Sequence, residues 1–209
     1  MTIDRAGYPF ISGTAALAVV AALTVGSLGA VPLFVLAAFF LYFFRDPDRT
    51  SPKDPELVLS PADGRVLVAG QADPKAAPPG EWTQISIFLS PMDVHVNRAP
   101  VSGRVTKVDF RKGKFLPAYH QDAASTNERS EVWVDHAGMP VVFRQIVGIL
   151  ARRVVCRVQP GAELNAGDRF GIMKFGSRMD VFLPPLANLK VKVGDQVVGG
   201  VTVIAVLKP

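Results

Sequence analysis

Gly176-Ser177 stands between two strand-like runs in the stretch from Phe170 to Pro184. A serine hydroxyl in this setting can attack the peptide bond on its own N-terminal side. Glycine adds no side chain to block that approach and tolerates the strained backbone that an N-to-O acyl shift requires. The ester can eliminate to dehydroalanine, which hydrolyses to a pyruvoyl group on the new N-terminus. The chain would then be two pieces, 1–176 and 177–209. An isolated Gly-Ser pair is more often a plain turn, so its surroundings decide the matter. A serine hydroxyl also needs a base, and a positioned one contributes about 10²- to 10⁴-fold. Of the three histidines, His136 falls in the turn Asp135-His136-Ala137-Gly138 and is expected to be solvated. His120 falls in an irregular stretch and is expected on the surface or in a lid. His95 follows the apolar run Ile85–Leu89, close behind Pro91 and Asp93. A lone histidine at a strand end is usually structural, so composition alone does not make it the base.

The elements that must position these groups fall into two parts. Between Arg5 and Arg45 there is no Asp, Glu, Lys, Arg or His. The run Gly26-Ser27-Leu28-Gly29-Ala30-Val31-Pro32 divides this stretch into Ile11–Val25 and Leu33–Phe44. Fifteen helical residues rise about 22 Å, short of the roughly 30 Å hydrocarbon core. The expectation is a helical hairpin in residues 1–50 that dips into a bilayer, with two tight spans as the alternative. A cleaved secretory signal fits poorly, because no small-residue cleavage site follows Tyr42-Phe43-Phe44. Arg5 before the hairpin, with Arg45 and Arg49 after it, favours the cytoplasmic face of the cell membrane. The net charge of +5 and pI near 9.6 suit anionic lipid. Nucleic acid is not expected, since the basic residues are spread through strand-like segments with no recognition helix. Cys156 is the only cysteine, so no intrachain disulfide can form.

Residues 51–209 read as β-rich. Short apolar runs such as Thr83–Leu89, Val105–Phe110, Val132–Val134, Val141–Ile149, Val154–Val158 and Val201–Leu207 are punctuated by Gly, Pro and Asp. Asp135–Gly138 reads as a hairpin turn. Pro61-Ala62-Asp63-Gly64-Arg65-Val66 recurs as Pro100-Val101-Ser102-Gly103-Arg104-Val105, and Leu164–Phe170 recurs as Val191–Val197. Such repeats suggest a mainly β, barrel-sandwich-like domain of lipoyl or biotinyl type, built from hairpin layers. Because Ser102 replaces Asp63 in the second copy, the turn itself does not demand a carboxylate, which leaves Asp63 available for chemistry.

Ser60-Pro61-Ala62-Asp63-Gly64, Ser90–Arg98, Asn127-Glu128-Arg129, the Phe175–Asp180 segment and the hydrophobic N-terminus ending in Arg45-Asp46-Pro47 together resemble the short bacterial type of phosphatidylserine decarboxylase proenzyme. The resemblance covers nearly the whole chain. It implies a pyruvoyl cofactor made from Ser177 after scission at Gly176-Ser177, and phosphatidylserine as substrate at a membrane. By the same resemblance His95 is the base and Asp63 orients it. The longer relatives carry a second histidine where this chain has Arg98, which leaves Asp93 as another carboxylate. Arg98, Arg152 and Arg153 are candidates for the substrate phosphate, and a Glu128–Arg129 pair is expected to be structural. No His/Cys cluster suggests a metal. The two subunits of one cut chain are the expected partners, with further oligomerisation open. Three rivals remain: the same chemistry on another serine phospholipid, a non-catalytic membrane-anchored adaptor domain, and a peptidase pairing Ser177 with Lys174.

Overall fold

A computed structural model describes residues 1–120, 122–149, 154–174 and 176–208. The chain forms two compact units, Met1–Asp48 and Arg49–Pro209.

In the first unit, β1 (Thr2–Ile3) leads through a single 3-10 turn into α1 (Tyr8–Thr24), followed by α2 (Ser27–Phe43) and β2 (Arg45–Asp46). Neither helix has a polar stripe, and Leu17, Val20, Leu23, Leu28 and Val35 stand exposed on them, as expected of helices that face an apolar medium. At 17 residues each, the helices are about 25 Å long. The two chain ends meet where β1 pairs antiparallel with β2, Thr2 opposite Asp46. Phe10 packs on Phe40 and Phe44 beside this pairing. The break between the helices is narrower than the sequence suggests. Only Val25 and Gly26 intervene, with Gly26 at φ +100°, and Ser27–Pro32 already belongs to α2. Pro32 is the sixth residue of α2 and lies inside the helix, where its missing N–H removes one backbone bond.

The second unit is mainly β. Its first strands are β3 (Leu57–Leu59), β4 (Gly64–Gln71), β5 (Thr83–Leu89), β6 (Val96–Arg98) and β7 (Gly103–Arg111). After the short helix α3 (Ala123–Thr126) come β8 (Arg129–His136), β9 (Met139–Val147), β10 (Val155–Cys156), β11 (Glu163–Leu164) and β12 (Arg169–Ile172). The chain closes with β13 (Ser177–Leu183), β14 (Asn188–Leu189), β15 (Gln196–Val197) and β16 (Val203–Val206). A curled eight-stranded sheet runs β11-β7-β8-β9-β13-β5-β4-β15. Two smaller sheets, β10-β12-β6 and β14-β16-β3, complete the fold. Alternation along the strands turns Ile85, Ile87 and Leu89 of β5, Phe143 of β9, and Met179 and Val181 of β13 into one core.

The internal repeats are physical. Gly64 and Gly103 both adopt φ near +150°, and a methyl group on either would overlap a carbonyl oxygen of the neighbouring strand, Phe88 or Asp135. Each copy of the first repeat also bonds to a glycine turn. The Val66 N–H donates to the Asp195 carbonyl at 2.9 Å, in the Gly194-Asp195 turn. The Val105 N–H donates to the Ala162 carbonyl at 2.8 Å, in the Gly161-Ala162 turn, which lies outside the Leu164–Phe170 repeat. The two copies lie toward opposite edges of the large sheet. The turn at Ala137-Gly138 joins β8 to β9 as a two-residue hairpin, with φ of +51° and +82°. His136 is not solvated. It is buried, with Nδ1 2.7 Å from the Ser102 carbonyl oxygen, because the neighbouring repeat turn packs over it.

Candidate active site

Strand β13 delivers Ser177 from the centre of the large sheet. At the first rung it opposes Leu89 of β5 on one side and Val147 of β9 on the other. Its side chain shares the core-facing side with Met179 and Val181. The residue is fully buried, and its Oγ has no hydrogen-bond partner among the described residues. An unpartnered buried hydroxyl forgoes about 1–3 kcal/mol, so this oxygen is uncommitted at an energetic cost to the fold. The opposite face of β13 is tied down firmly. Arg178 Nε donates to Asp180 Oδ1 at 2.6 Å and Nη2 donates to Ser86 Oγ at 2.9 Å, both within the buried interior. The Arg and Asp of the Ser177–Asp180 segment therefore anchor the strand that carries the serine.

His95 reaches the same rung by a tight turn. Beyond Leu89 the Asp93 N–H donates to the Ser90 carbonyl at 2.9 Å, and the Ser90 N–H donates to Asp93 Oδ2 at 2.8 Å. The fully buried imidazole places Nδ1 2.9 Å from the Asp93 carbonyl oxygen. A carbonyl only accepts, so Nδ1 carries the proton and Nε2 presents a lone pair. That lone pair accepts from the Gly176 N–H at 3.4 Å. A neutral histidine thus directs its basic nitrogen at the residue that precedes Ser177.

Asp63 lies in the turn before β4, and its carboxylate is engaged elsewhere. Oδ1 accepts from Arg49 Nη1 at 2.6 Å and from the Gly199 N–H at 2.8 Å, while Oδ2 accepts from Arg49 Nη2 at 2.7 Å. In this uncut chain the partner orienting Nδ1 of His95 is the Asp93 main chain, not the Asp63 carboxylate. Sequence reasoning missed Arg49, which was counted with the membrane-flanking cations. Asp93 contributes through its backbone and its turn-closing carboxylate.

Arg98 points away from this centre. On β6 it alternates with Asn97, whose Oδ1 accepts from Gln145 Nε2 at 2.8 Å inside the core. Arg98 Nη1 donates instead to the Gly167 carbonyl at 3.1 Å, beside a cleft of about 920 Å³ also lined by Arg49, Lys53 and Arg169. His95, Gly176 and Ser177 are not among the walls of that cleft. Arg152 and Arg153 lie outside the described residues.

The Asn127–Arg129 segment works differently from the expected ion pair. Glu128 and Arg129 are adjacent and diverge, and Arg129 Nη1 donates to the Ser125 carbonyl at 2.8 Å. The side chain that ties neighbouring segments together is Asn127. Its Nδ2 donates to the Leu116 and Val147 carbonyls, both at 2.8 Å, and its Oδ1 accepts from the Leu116 N–H at 3.0 Å. Val147 is the rung partner of Ser177.

Gly176 adopts φ +76°, in the left-handed region that favours glycine. The steric expectation concerns the approach of Ser177 itself. Beyond the two chain neighbours of Gly176 there is open space, and a methyl group built there would meet nothing within 4 Å among the described residues. Cys156 offers no rival nucleophile, because burial pushes its thiol pKa up and lowers the thiolate fraction. A buried hydroxyl, a basic nitrogen and a left-handed glycine thus meet at one peptide.

The chain is similar to known proteins over almost its whole length. The family model described as Phosphatidylserine decarboxylase matches residues 36–205. A protein of Desulfotalea psychrophila named phosphatidylserine decarboxylase proenzyme is 40% identical over 203 residues, covering 97% of this chain and 95% of the relative. One of the same name from Pelobacter propionicus is 42% identical over 207 residues, covering 95% of this chain and 93% of the relative.

Proposed function

Because the chain belongs to the phosphatidylserine decarboxylase family, we propose that it is made as a proenzyme that cuts itself at Gly176-Ser177 and then decarboxylates phosphatidylserine to phosphatidylethanolamine. The observation that carries this reading is the buried Ser177 Oγ, without a partner among the described residues, next to Gly176, whose N–H donates to the lone pair of His95 Nε2.

The scission balances without any outside oxidant. His95 takes the Ser177 hydroxyl proton as Oγ bonds to the Gly176 carbonyl carbon. The Gly176–Ser177 C–N bond breaks, and the proton passes to the freed nitrogen, leaving an ester. Loss of the Cα proton then breaks the Cβ–Oγ bond, releasing residues 1–176 with a C-terminal carboxylate. Residue 177 becomes dehydroalanine, and water replaces its nitrogen, which leaves as ammonia. The pyruvoyl carbonyl so formed supplies an electron sink for loss of CO₂ from an amine-bearing substrate. His95, held in one tautomer by the Asp93 carbonyl, is the chain's own group for moving protons at this position. The Arg49–Asp63 pair fixes the turn before β4 and stands as a reserve carboxylate.

Membrane attachment follows from the first unit. Arg5–Thr24 is long and apolar enough to cross a bilayer, with a mean hydropathy of 1.6. Both ends of the hairpin are tied together by the β1–β2 pairing, which puts Arg5 and Arg45 on one side. Positive flanks support a cytoplasmic face for that side.

Intact mass of the purified protein tests this. Wild type should yield a fragment of residues 177–209 with no free amino terminus, together with CO₂ release from phosphatidylserine vesicles. Ser177→Ala should run as one uncut chain without CO₂ release. A wild-type chain that stays whole yet is active overturns the proposal.

A further inference from the structure

The sheet register continues one step beyond its last rung. Ser177 opposes Val147 and Arg178 opposes Ile146, so Gly176 faces Gly148. A methyl group built on Gly148 would overlap the Gly176 carbonyl oxygen and stand 3.2 Å from its carbon. On the far side Ala118, itself buried, would lie 3.4 Å away. The oxygen of the bond to be broken therefore rests against the bare Cα of Gly148, with no space for any side chain. Gly176, by contrast, has open space where its own side chain would be. Of the two facing glycines, Gly148 is the one whose bareness the packing demands.

Asn127 holds this seat in place. Its Nδ2 donates to the Val147 carbonyl, directly before Gly148, and also to Leu116 in the segment that carries Ala118. The Val147 N–H in turn donates to the Glu128 carbonyl at 3.1 Å. One buried amide thus fixes two walls around a single carbonyl group.

We infer that Gly148 is a side-chain-free seat that orients the Gly176 carbonyl for attack by Ser177, and that Asn127 is the positioning residue that keeps the seat closed. This deepens the self-cutting reading and rests on it. An acyl shift requires the hydroxyl to approach the carbonyl face within a narrow angular range, and displacement by about 1 Å can cost about 100-fold in rate. A side chain at position 148 would push the carbonyl out of that range while leaving Ser177 and His95 intact.

The test uses full-length Gly148→Ala, with Ser177→Ala as the uncut reference. The expected result is a folded chain that melts below that reference, because of the overlap, and is cut at least about 100-fold more slowly than wild type. Hydroxylamine, which cleaves esters, should release no 177–209 fragment, because the block precedes ester formation. Gly176→Ala, burdened only by its backbone angle, should be cut more slowly than wild type but faster than Gly148→Ala. Cutting of Gly148→Ala within roughly threefold of wild type overturns the inference. So does hydroxylamine release of the fragment, which would place the block after the shift. If Gly148→Ala aggregates, Asn127→Ser decides: slow cutting without hydroxylamine release supports the seat, and a wild-type rate overturns it. A wild-type chain that is never cut defeats the parent reading, whereas equal cutting of wild type and Gly148→Ala defeats the seat alone.

Discussion

At the scale of single residues, reactivity here comes from what each group is denied. Ser177 Oγ is buried without a partner among the described residues, and His95 is locked with its proton on Nδ1 by a main-chain carbonyl. Replacing His95 with Gln separates its two tasks. The amide oxygen can still accept from the Gly176 N–H but cannot take a proton. Conversion to the cut form should therefore slow by about 10²-fold or more, with the melting temperature close to that of the Ser177→Ala chain. A time course of intact mass checks this, and normal maturation would remove His95 from the base role. Asp63 illustrates the limit of motif reading. Its type and place were evident in the sequence, but its Arg49 partner, far outside the motif, was not.

At the scale of elements, the turn repeats make a prediction of their own. Gly64 and Gly103 each hold a positive φ and press against a carbonyl of the adjacent strand. Alanine at either should destabilise the chain by about 2–4 kcal/mol, through strain and overlap together. Urea unfolding of the Ser177→Ala chain carrying each substitution measures this without interference from cutting. A loss under about 0.5 kcal/mol would mean the strands adjust freely. Element existence was legible because alternation in Thr83–Leu89 and the Asp135–Gly138 turn are local signals. Helix boundaries were less so. Pro32 reads as a break in one dimension, yet it lies inside α2, where it removes only one backbone bond.

At the scale of the whole molecule, the chain divides at Asp48 into an apolar helix pair and a mainly β unit. The second unit has its own core and contains Ser177, His95, Asp63 and Gly148. A chain beginning at Arg49 should therefore fold and cut itself, while losing flotation with vesicles of anionic lipid. Retained flotation would assign lipid binding to the basic second unit. Loss of cutting in a folded truncated chain would show that the first unit takes part in the reaction.

The sequence by itself singled out Ser177 as candidate nucleophile, His95 as candidate base, the apolar-then-β layout and the repeated Gly-Arg-Val turns. Each of these depends on residue type and short spacing, which the chain carries whatever its fold. Only the tertiary structure decided that Gly148 faces Gly176, that Asn127 clamps Val147, and that Arg49 takes the Asp63 carboxylate. Those pairings join residues far apart along the chain through strand register and packing. No local pattern encodes them, because a glycine whose value lies in what it lets another strand do looks like any other glycine.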